Sequence, residues 1–314
     1  MFKYLLKRLA QAVLTLFVIL TIIFCLLRLM PEEGYLGDSY DKMTEIQRET
    51  ILTEMGLRDP IPVQLAKFYM DLFHGDLGTS WIYRPNVPIS EIVAEKAPIS
   101  IQMGLLAMAL SLVVGIPLGV FMTRFKDGVP DKLGMAFVVL VMAIPSAVYH
   151  LFIQTYATEW LGLPMLFKEG DFSSWILPTI SLSLYNTATF ALWMRRYMVD
   201  ELNKDYVRLA RAKGVKNSAI MARHVFPNAF VPLIQTIPSM ILLTAMGSIY
   251  VESLYSVPGM GGLLVDVIQR QDNAMVQALV LIYASLSIVG LLLGDILMGI
   301  CDPRITFTSK GGAR

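Results

Sequence analysis

Long apolar runs separated by polar segments form the main pattern of this 314-residue chain, and six of the runs could cross a membrane. A membrane-spanning helix needs about 20 predominantly apolar residues. The predicted spans are residues 9–30, 101–122, 133–158, 174–194, 227–251 and 276–300. The first run follows Lys3, Lys7 and Arg8, as in a signal peptide, but it is too long for a cleaved apolar region. The pattern predicts an all-α integral membrane protein with six transmembrane helices.

The longest polar segment, residues 31–98, has the pattern of a folded structure. Residues 46–55 and 63–73 carry apolar side chains at helical spacing, and a proline-rich break separates them. Residues 89–95 predict a third short helix. We therefore expect a folded segment after the first span.

Composition and charge agree with the membrane assignment and predict an orientation. The chain is 55% hydrophobic and 16% charged, and a net charge of +1 does not indicate a nucleic-acid partner. With the N-terminus inside, cytoplasmic segments hold 17 Lys and Arg residues and external segments hold eight. Both termini are therefore expected in the cytoplasm. The predicted layout is a cytoplasmic N-terminus with span 1 (1–30), an extracytoplasmic segment (31–98), a core of spans 2–6 (99–300) containing a loop at 195–226, and a cytoplasmic tail (301–314).

Polar residues within the spans are candidates for a translocation pathway. Gln235, Thr236 and Ser239 lie beside prolines in the fifth span, and we add Glu252 to this set. The alternative is that these polar groups bond neighbouring helices. Asp295, near the inner end of the sixth span, is expected to have a capping or structural role.

The sequence predicts no catalytic or metal site. The two cysteines and three histidines have no metal-ligand spacing, and the former are expected to act as small hydrophobic residues. The motifs Gly-x-Ser-x-Gly and His-Glu-x-x-His, which would indicate an intramembrane enzyme, do not occur, nor does a P-loop. The chain is therefore expected to be non-catalytic.

The loop at 195–226 has a pattern that suggests docking. Residues 199–213 predict a helix, Gly214 a left-handed C-terminal cap, and Asn217 or Ser218 the start of a second helix. Ala210 and Gly214, four residues apart, would share a shallow face that another protein could cover, with basic residues pairing with acids around it. The alternative is a basic loop that only fixes topology.

This loop resembles the ATPase-docking loop of ABC importer permeases. The run DYVRLARAKG at residues 205–214 is similar to the peptide and nickel branch, although Arg208-Leu209-Ala210 replaces the general Glu-Ala-Ala. Further similar motifs lie at residues 4–8, 26–31, 55–60, 62–64, 75–80, 115–119, 144–146, 176–178, 251–253, 258–261 and 302–305. The external segment resembles that of B-type permease subunits. The resemblance implies ATPase coupling through Tyr206, Arg208, Ala210, Arg211, Ala212, Lys213, Gly214 and Arg223.

An outer hairpin before the last span departs from the family. Gln271-Asp272-Asn273-Ala274 occupies the place where the family often has Arg-Asp-Tyr-Pro. The outer-hairpin candidates are Pro258, Gly259, Gly261, Arg270 and Asp272; if this hairpin touches cargo or the binding protein, the specificity of the family transfers poorly to this chain.

The resemblance also implies a type I ABC importer permease fold and a set of partners in a bacterial or archaeal cytoplasmic membrane. These are membrane lipid, a homologous C-type permease, two ATPases that carry ATP and Mg, an extracytoplasmic binding protein and a peptide cargo, with no cofactor in this chain. Nickel or a nickel chelate is the alternative cargo. A self-sufficient secondary transporter is the alternative class, which would predict inverted repeats or several buried acids.

Overall fold

A computed structural model describes residues 2–29 and 33–301, which form helices joined by turns and one β-bridge, Thr79 to Pro88. The first part contains α1 (Phe2–Arg28), α2 (Glu33–Leu36), a 3-10 helix (Gly37–Lys42), α3 (Glu45–Glu54), α4 (Ile61–Phe73), α5 (Ile89–Arg124), α6 (Val129–Ala143), α7 (Ser146–Phe152), a π-helix (Ile153–Ala157) and α8 (Thr158–Leu161). The second contains α9 (Ser173–Leu202), α10 (Asp205–Ala212), α11 (Asn217–Ile220), a π-helix (Met221–Val225), α12 (Phe226–Ala245), α13 (Ile249–Tyr255), α14 (Met260–Gln269) and α15 (Asn273–Cys301). Residues 302–305, and all of the predicted tail except Cys301, lie outside the described residues.

The described residues contain fewer apolar spans than the six predicted. Four helical stretches are long and apolar enough to cross a membrane: Leu6–Arg28, Ile89–Arg124, Asn217–Tyr255 and Asn273–Met298. A fifth is the bent pair Val129–Ala143 with Ser146–Leu161. Helix α9 stands where the fourth span is predicted and has 30 residues, but serine, threonine and asparagine side chains interrupt its apolar sequence.

Two predicted spans are broken. The pair α6–α7 bends by 110° at Ile144-Pro145, where Ile144 is extended because a following proline disfavours the helical region. Between α12 and α13, Gly247 takes a φ of +89°, which a residue without Cβ adopts readily. Both breaks interrupt the backbone hydrogen bonding of the helices in which they lie.

Glycine pairs allow the long helices to approach closely. An added Cβ at Gly115 or Gly119 of α5 would lie 2.7 or 2.6 Å from a carbonyl oxygen of α9. Gly290 and Gly294 of α15 face α12 in the same way. This spacing of two small residues four apart is typical of helix packing in membranes, where close van der Waals contact replaces the hydrophobic effect.

The segment between α1 and α5 is folded, as predicted. Helix α3 begins with a capping box between Thr44 and Gln47, and α4 lies against α1 with Tyr69 stacked on Phe17 at 4.9 Å between ring centroids. A hydrogen bond from Arg58 lowers the pKa of the Glu49 carboxyl. The predicted short helix at 89–95 is the beginning of the 36-residue α5, which crosses the predicted boundary at residue 98.

The helices place two sets of contacts at opposite ends of the bundle. One end, here called the loop end, holds the α5–α6 turn and residues 203–226; there Arg195 of α9 donates two hydrogen bonds to Asp131 of α6, at 2.5 and 2.7 Å. The other end, the cap end, holds residues 33–88 and the α14–α15 turn, which meet where Ser80 bonds Asp272.

Candidate functional site

The loop-end segment, residues 203–226, begins with a break in the helix predicted at 199–213. Helix α9 ends at Leu202, where the Asn203 side chain donates to the Val199 carbonyl at 3.1 Å and satisfies a terminal acceptor. Lys204 is extended and precedes α10. The prediction of one continuous helix is therefore wrong, since α10 is a separate two-turn helix.

Gly214 ends α10 as predicted, in the left-handed conformation with a φ of +78°. Its amide donates to the Arg211 carbonyl at 2.9 Å, and the Val215 amide donates to the Ala210 carbonyl at 3.2 Å. These two bonds form a Schellman motif, which satisfies the last carbonyls of α10. Helix α11 then begins at Asn217, again as predicted.

The segment is fixed to the bundle by apolar side chains. Val207, Ile220 and Val225 are fully buried in a cluster with Met194 and Met198 of α9. Ala210, partly buried, packs against the same cluster, whereas Gly214 is exposed with open space beside it. The prediction that these two residues share one face is therefore wrong, because the helix ends before Gly214.

The outer surface of the segment is basic with one apolar residue. The exposed nominated residues are Tyr206, Arg208, Arg211, Ala212, Lys213, Gly214 and Arg223. Leu209 also lies there with 56% of its surface exposed, although the sequence analysis did not select it. Leu209 could have been selected from the sequence, because it is an apolar residue on the side of α10 opposite the buried Val207. The exposed tip, residues 208–214, thus combines positive charge with an accessible leucine.

Tyr206 connects the segment to the helices on both sides. Its hydroxyl donates to Glu201 Oε2 of α9 at 2.6 Å and accepts from Asn228 Nδ2 of α12 at 3.2 Å. Burial, and then the hydrogen bond to Glu201, raise the pKa of the Tyr206 phenol. Tyr206, although 39% exposed, therefore helps to hold α10 in place.

Replacing Tyr206 with phenylalanine removes its bonds to Glu201 and Asn228 and is expected to lower the free energy of unfolding by about 1–2 kcal/mol, since each bond contributes about 0.5–1.5 kcal/mol. The loss should concentrate in α10, because its tie to α9 and α12 is removed. Hydrogen exchange should show faster exchange of residues 205–212, with Tyr250→Phe, an exposed tyrosine at 59%, as the control. Equal exchange in both variants would contradict this role.

The residues nominated for a pathway in α12 lie largely between helices. Gln235 donates to Asp295 Oδ1 of α15 at 3.0 Å, and Arg8 of α1 lies 3.4 Å from the same carboxylate. Ser239 packs against Gly290. Thr236 is exposed, with its hydroxyl bonded to the Leu233 carbonyl. Asp295 therefore joins three helices.

Glu252, also nominated for the pathway, is a buried helix cap. Only 2% of its surface is exposed, and it accepts from Ser100 Oγ at 2.7 Å and from the Gly261 and Gly262 amides at 2.7 and 3.1 Å. Ser100 Oγ in turn accepts from the Met260 amide at 2.8 Å. These two side chains satisfy the first three amides of α14, which otherwise lack intrahelical partners. Glu252 does not line the large cavity described below.

The outer-hairpin residues divide into buried and exposed groups. Asp272 is fully buried and accepts from Ser80 Oγ and from the Ile82 and Tyr83 amides at 2.7 to 3.1 Å, which joins the cap to the start of α15. Gly259 and Gly261 are also buried, whereas Pro258 and Arg270 are exposed.

A cavity of about 590 Å³ lies where the two helix breaks meet. Asn186 of α9 donates to Thr244 Oγ1 of α12 at 3.1 Å in its wall. Its lining contains no Asp, Glu, Lys or Arg: residues 141–146, Tyr149, His150, Leu182, Tyr185, Asn186, Leu243, Thr244, Gly247, Ser248 and Tyr250. This cavity surface could not be predicted from the sequence, because its residues are neutral and come from several helices. Among the described residues, no group of three His, Cys, Asp or Glu is placed to hold a metal.

The described helices adopt the type I ABC importer permease fold. It is similar to a chain of the MetNI methionine ABC transporter, with a TM-score of 0.53 and 12% identity, over 68% of this chain and 97% of that one. The sequence gives the family. Models of the "Binding-protein-dependent transport system inner membrane component" and of its N-terminal region match residues 115–307 and 1–102. The chain belongs to this family.

Two relatives illustrate the sequence similarity. The dipeptide transport system permease protein DppB of Lactococcus lactis subsp. cremoris is 35% identical over 97% of this chain and 99% of its own length. The oligopeptide transport system permease protein AmiC of Streptococcus pneumoniae is 38% identical over 67% of this chain and 42% of its own length. The predicted family is therefore confirmed.

Proposed function

We propose that this chain is one permease subunit of an ATP-driven peptide importer and that its exposed tip, residues 208–214, docks on a partner ATPase. The observation that carries the proposal is the tip itself: a basic surface with an exposed Leu209, on a helix fixed to the bundle by Val207 and Tyr206. A basic surface around an exposed apolar residue matches the arrangement of a protein interface, with an apolar centre and a polar rim.

The position of the tip supports mechanical coupling. Tyr206 ties α10 to α9 and to α12, and these two helices also supply Asn186 and Thr244 to the cavity wall. A displacement of the tip would therefore move both walls of the cavity together. An ATPase bound at the tip and cargo bound in the cavity would both act on α9 and α12. Coupling between two sites requires that both ligands bind differently to two global states of the protein.

The proposed assembly contains a second permease, two ATPases that bind ATP and Mg, and an extracytoplasmic binding protein. Both termini and the loop end are assigned to the cytoplasm, because in this orientation the cytoplasmic segments hold 17 Lys and Arg residues and the external segments hold eight. The cap end then faces the binding protein.

The proposed cargo is a peptide, in agreement with the names of the two relatives. The cavity offers hydroxyl and amide groups on Tyr149, Tyr185, Asn186 and Thr244, among apolar side chains. Such neutral donors and acceptors pair with peptide backbone groups whatever the side chains of the cargo.

The test is the variant Leu209→Glu in the assembled complex. We expect recovery of the ATPase with the chain and ATP-driven peptide uptake into vesicles to fall at least about tenfold, because burying an unpaired charge opposes docking. Ile46→Glu, the same change at an 80% exposed residue of the cap, should leave ATPase recovery unaffected.

The outcomes separate the parts of the proposal. Normal ATPase recovery and uptake in Leu209→Glu would overturn docking through the tip. Uptake of nickel but not of peptides by the unaltered complex would overturn the peptide cargo, and recovery of the chain without any ATPase would favour a secondary transporter.

A further inference from the structure

A second, smaller cavity of about 90 Å³ lies at the cap end, where four parts of the chain meet. This cavity is here called the cap pocket. It is lined by Arg28 from the end of α1 and by residues of the segment that follows α1: Tyr35, Met55, Leu57, Trp81 and Ile82. The remaining residues, 271–274 and Gln277, belong to the α14–α15 turn and to the start of α15. The cap pocket is separate from the cavity assigned to cargo.

Three hydrogen-bond donors in the cap pocket have no partner among the described residues: Arg28 Nε, Asn273 Nδ2 and Gln277 Nε2. Asn273 and Gln277 are only 7% and 9% exposed. They lie four residues apart on α15 and so share one helix face. A buried donor without an acceptor costs about 1–3 kcal/mol, so three in one small cavity indicate a ligand that accepts hydrogen bonds.

The carboxylate that lines this cavity, that of Asp272, is already engaged. Asp272, although it lines the pocket, binds Ser80, the Ile82 and Tyr83 amides and the Met275 amide. Met275 is the third residue of α15, so Asp272 serves as its N-terminal cap. Its carboxylate therefore does not accept a hydrogen bond from Arg28 Nε, Asn273 Nδ2 or Gln277 Nε2.

The charge of Arg28 determines which acceptor fits. Its guanidinium lies over the rings of Phe24 and Tyr35, 4.7 and 5.8 Å from their centroids. Aromatic faces hold a cation in place but do not neutralise its charge. A water molecule would supply a hydrogen-bond acceptor without charge. A carboxylate supplies a hydrogen-bond acceptor and a negative charge, and it pairs well with arginine.

We propose that the cap pocket binds a carboxylate group through Arg28, Asn273 and Gln277. The bound group would connect α1, α15 and residues 33–88, since each of them contributes side chains to the wall of the cap pocket. The carboxylate can come from a small free anion or from the C-terminus of a peptide. Both present the same two oxygens to the same donors.

Trp81 in the pocket wall, 39% exposed, provides the test. The fluorescence of the full chain, purified with its partners in lipid nanodiscs, is titrated with acetate, and with acetamide as the neutral isostere. We expect a saturable change with acetate, a much smaller one with acetamide, and its loss in Trp81→Phe. Arg28→Gln should weaken acetate binding about tenfold, and Gln277→Leu about fivefold.

Controls address general effects of salt and of folding. Lys67→Gln removes an exposed cation at the same end that does not line the pocket, so it should bind acetate normally. Titration with dialanine and with dialanine amide distinguishes the sources: stronger binding of dialanine than of acetate identifies a peptide terminus. A response to acetate that is absent, equal to that of acetamide, or unchanged in Arg28→Gln would overturn the proposal.

Discussion

Replacing Glu252 with alanine is expected to lower the free energy of unfolding by about 3–5 kcal/mol. The substitution leaves the Ser100 hydroxyl and the Gly261 and Gly262 amides without their acceptor in a site that is 2% exposed. Each buried donor without a partner costs about 1–3 kcal/mol. The measurement is the midpoint of thermal unfolding of the complex in detergent, which should fall by about 10 °C.

Two further variants define the origin of this effect. Glu252→Gln keeps one acceptor oxygen and should lose about half as much stability. Glu54→Ala, at an exposed position in α3, should change the free energy of unfolding by less than about 0.5 kcal/mol. If Glu252→Ala behaves like Glu54→Ala, then the capping bonds of α14 contribute little to stability.

The helices could be predicted from apolar pattern, but their breaks could not. The prolines at positions 98, 117, 178, 232 and 238 all lie inside helices, whereas Pro145 lies in the break where α6 and α7 meet at 110°. Each proline removes the same amide donor. What differs is the packing around it, which the local sequence does not contain. The Gly214 cap, in contrast, was predictable because a Schellman motif depends on residues within one turn of the helix.

Two of the candidate residues, Glu252 and Asp272, had long-range partners. Glu252 bonds Ser100, and Asp272 bonds Ser80, which lie 152 and 192 residues away in the chain. Sequence alone cannot distinguish such a buried, fully bonded acid from one that faces a pathway. Conversely, the large cavity is lined by neutral residues such as Tyr185 and Asn186, which no charge-based argument selects.

Alanine at Gly115 or at Gly119 is expected to destabilise the bundle by about 2 kcal/mol for each single substitution. The new Cβ would lie 2.7 Å from the Thr187 carbonyl oxygen or 2.6 Å from that of Ala191, so α9 has to move away. Thermal unfolding of the complex measures the loss. Gly262→Ala makes the same change inside α14, where the nearest atom is 3.6 Å away, and should be neutral or stabilising because alanine favours helix.

The double variant Gly115→Ala with Gly119→Ala gives the sharper result. Both substitutions push α9 in the same direction, so one displacement of that helix relieves both contacts. The combined loss should therefore be less than the sum of the single losses, by about 1 kcal/mol. A fully additive result would mean that each alanine is accommodated locally, without movement of α9. Single losses no larger than that of Gly262→Ala would show that close α5–α9 contact is not needed for stability.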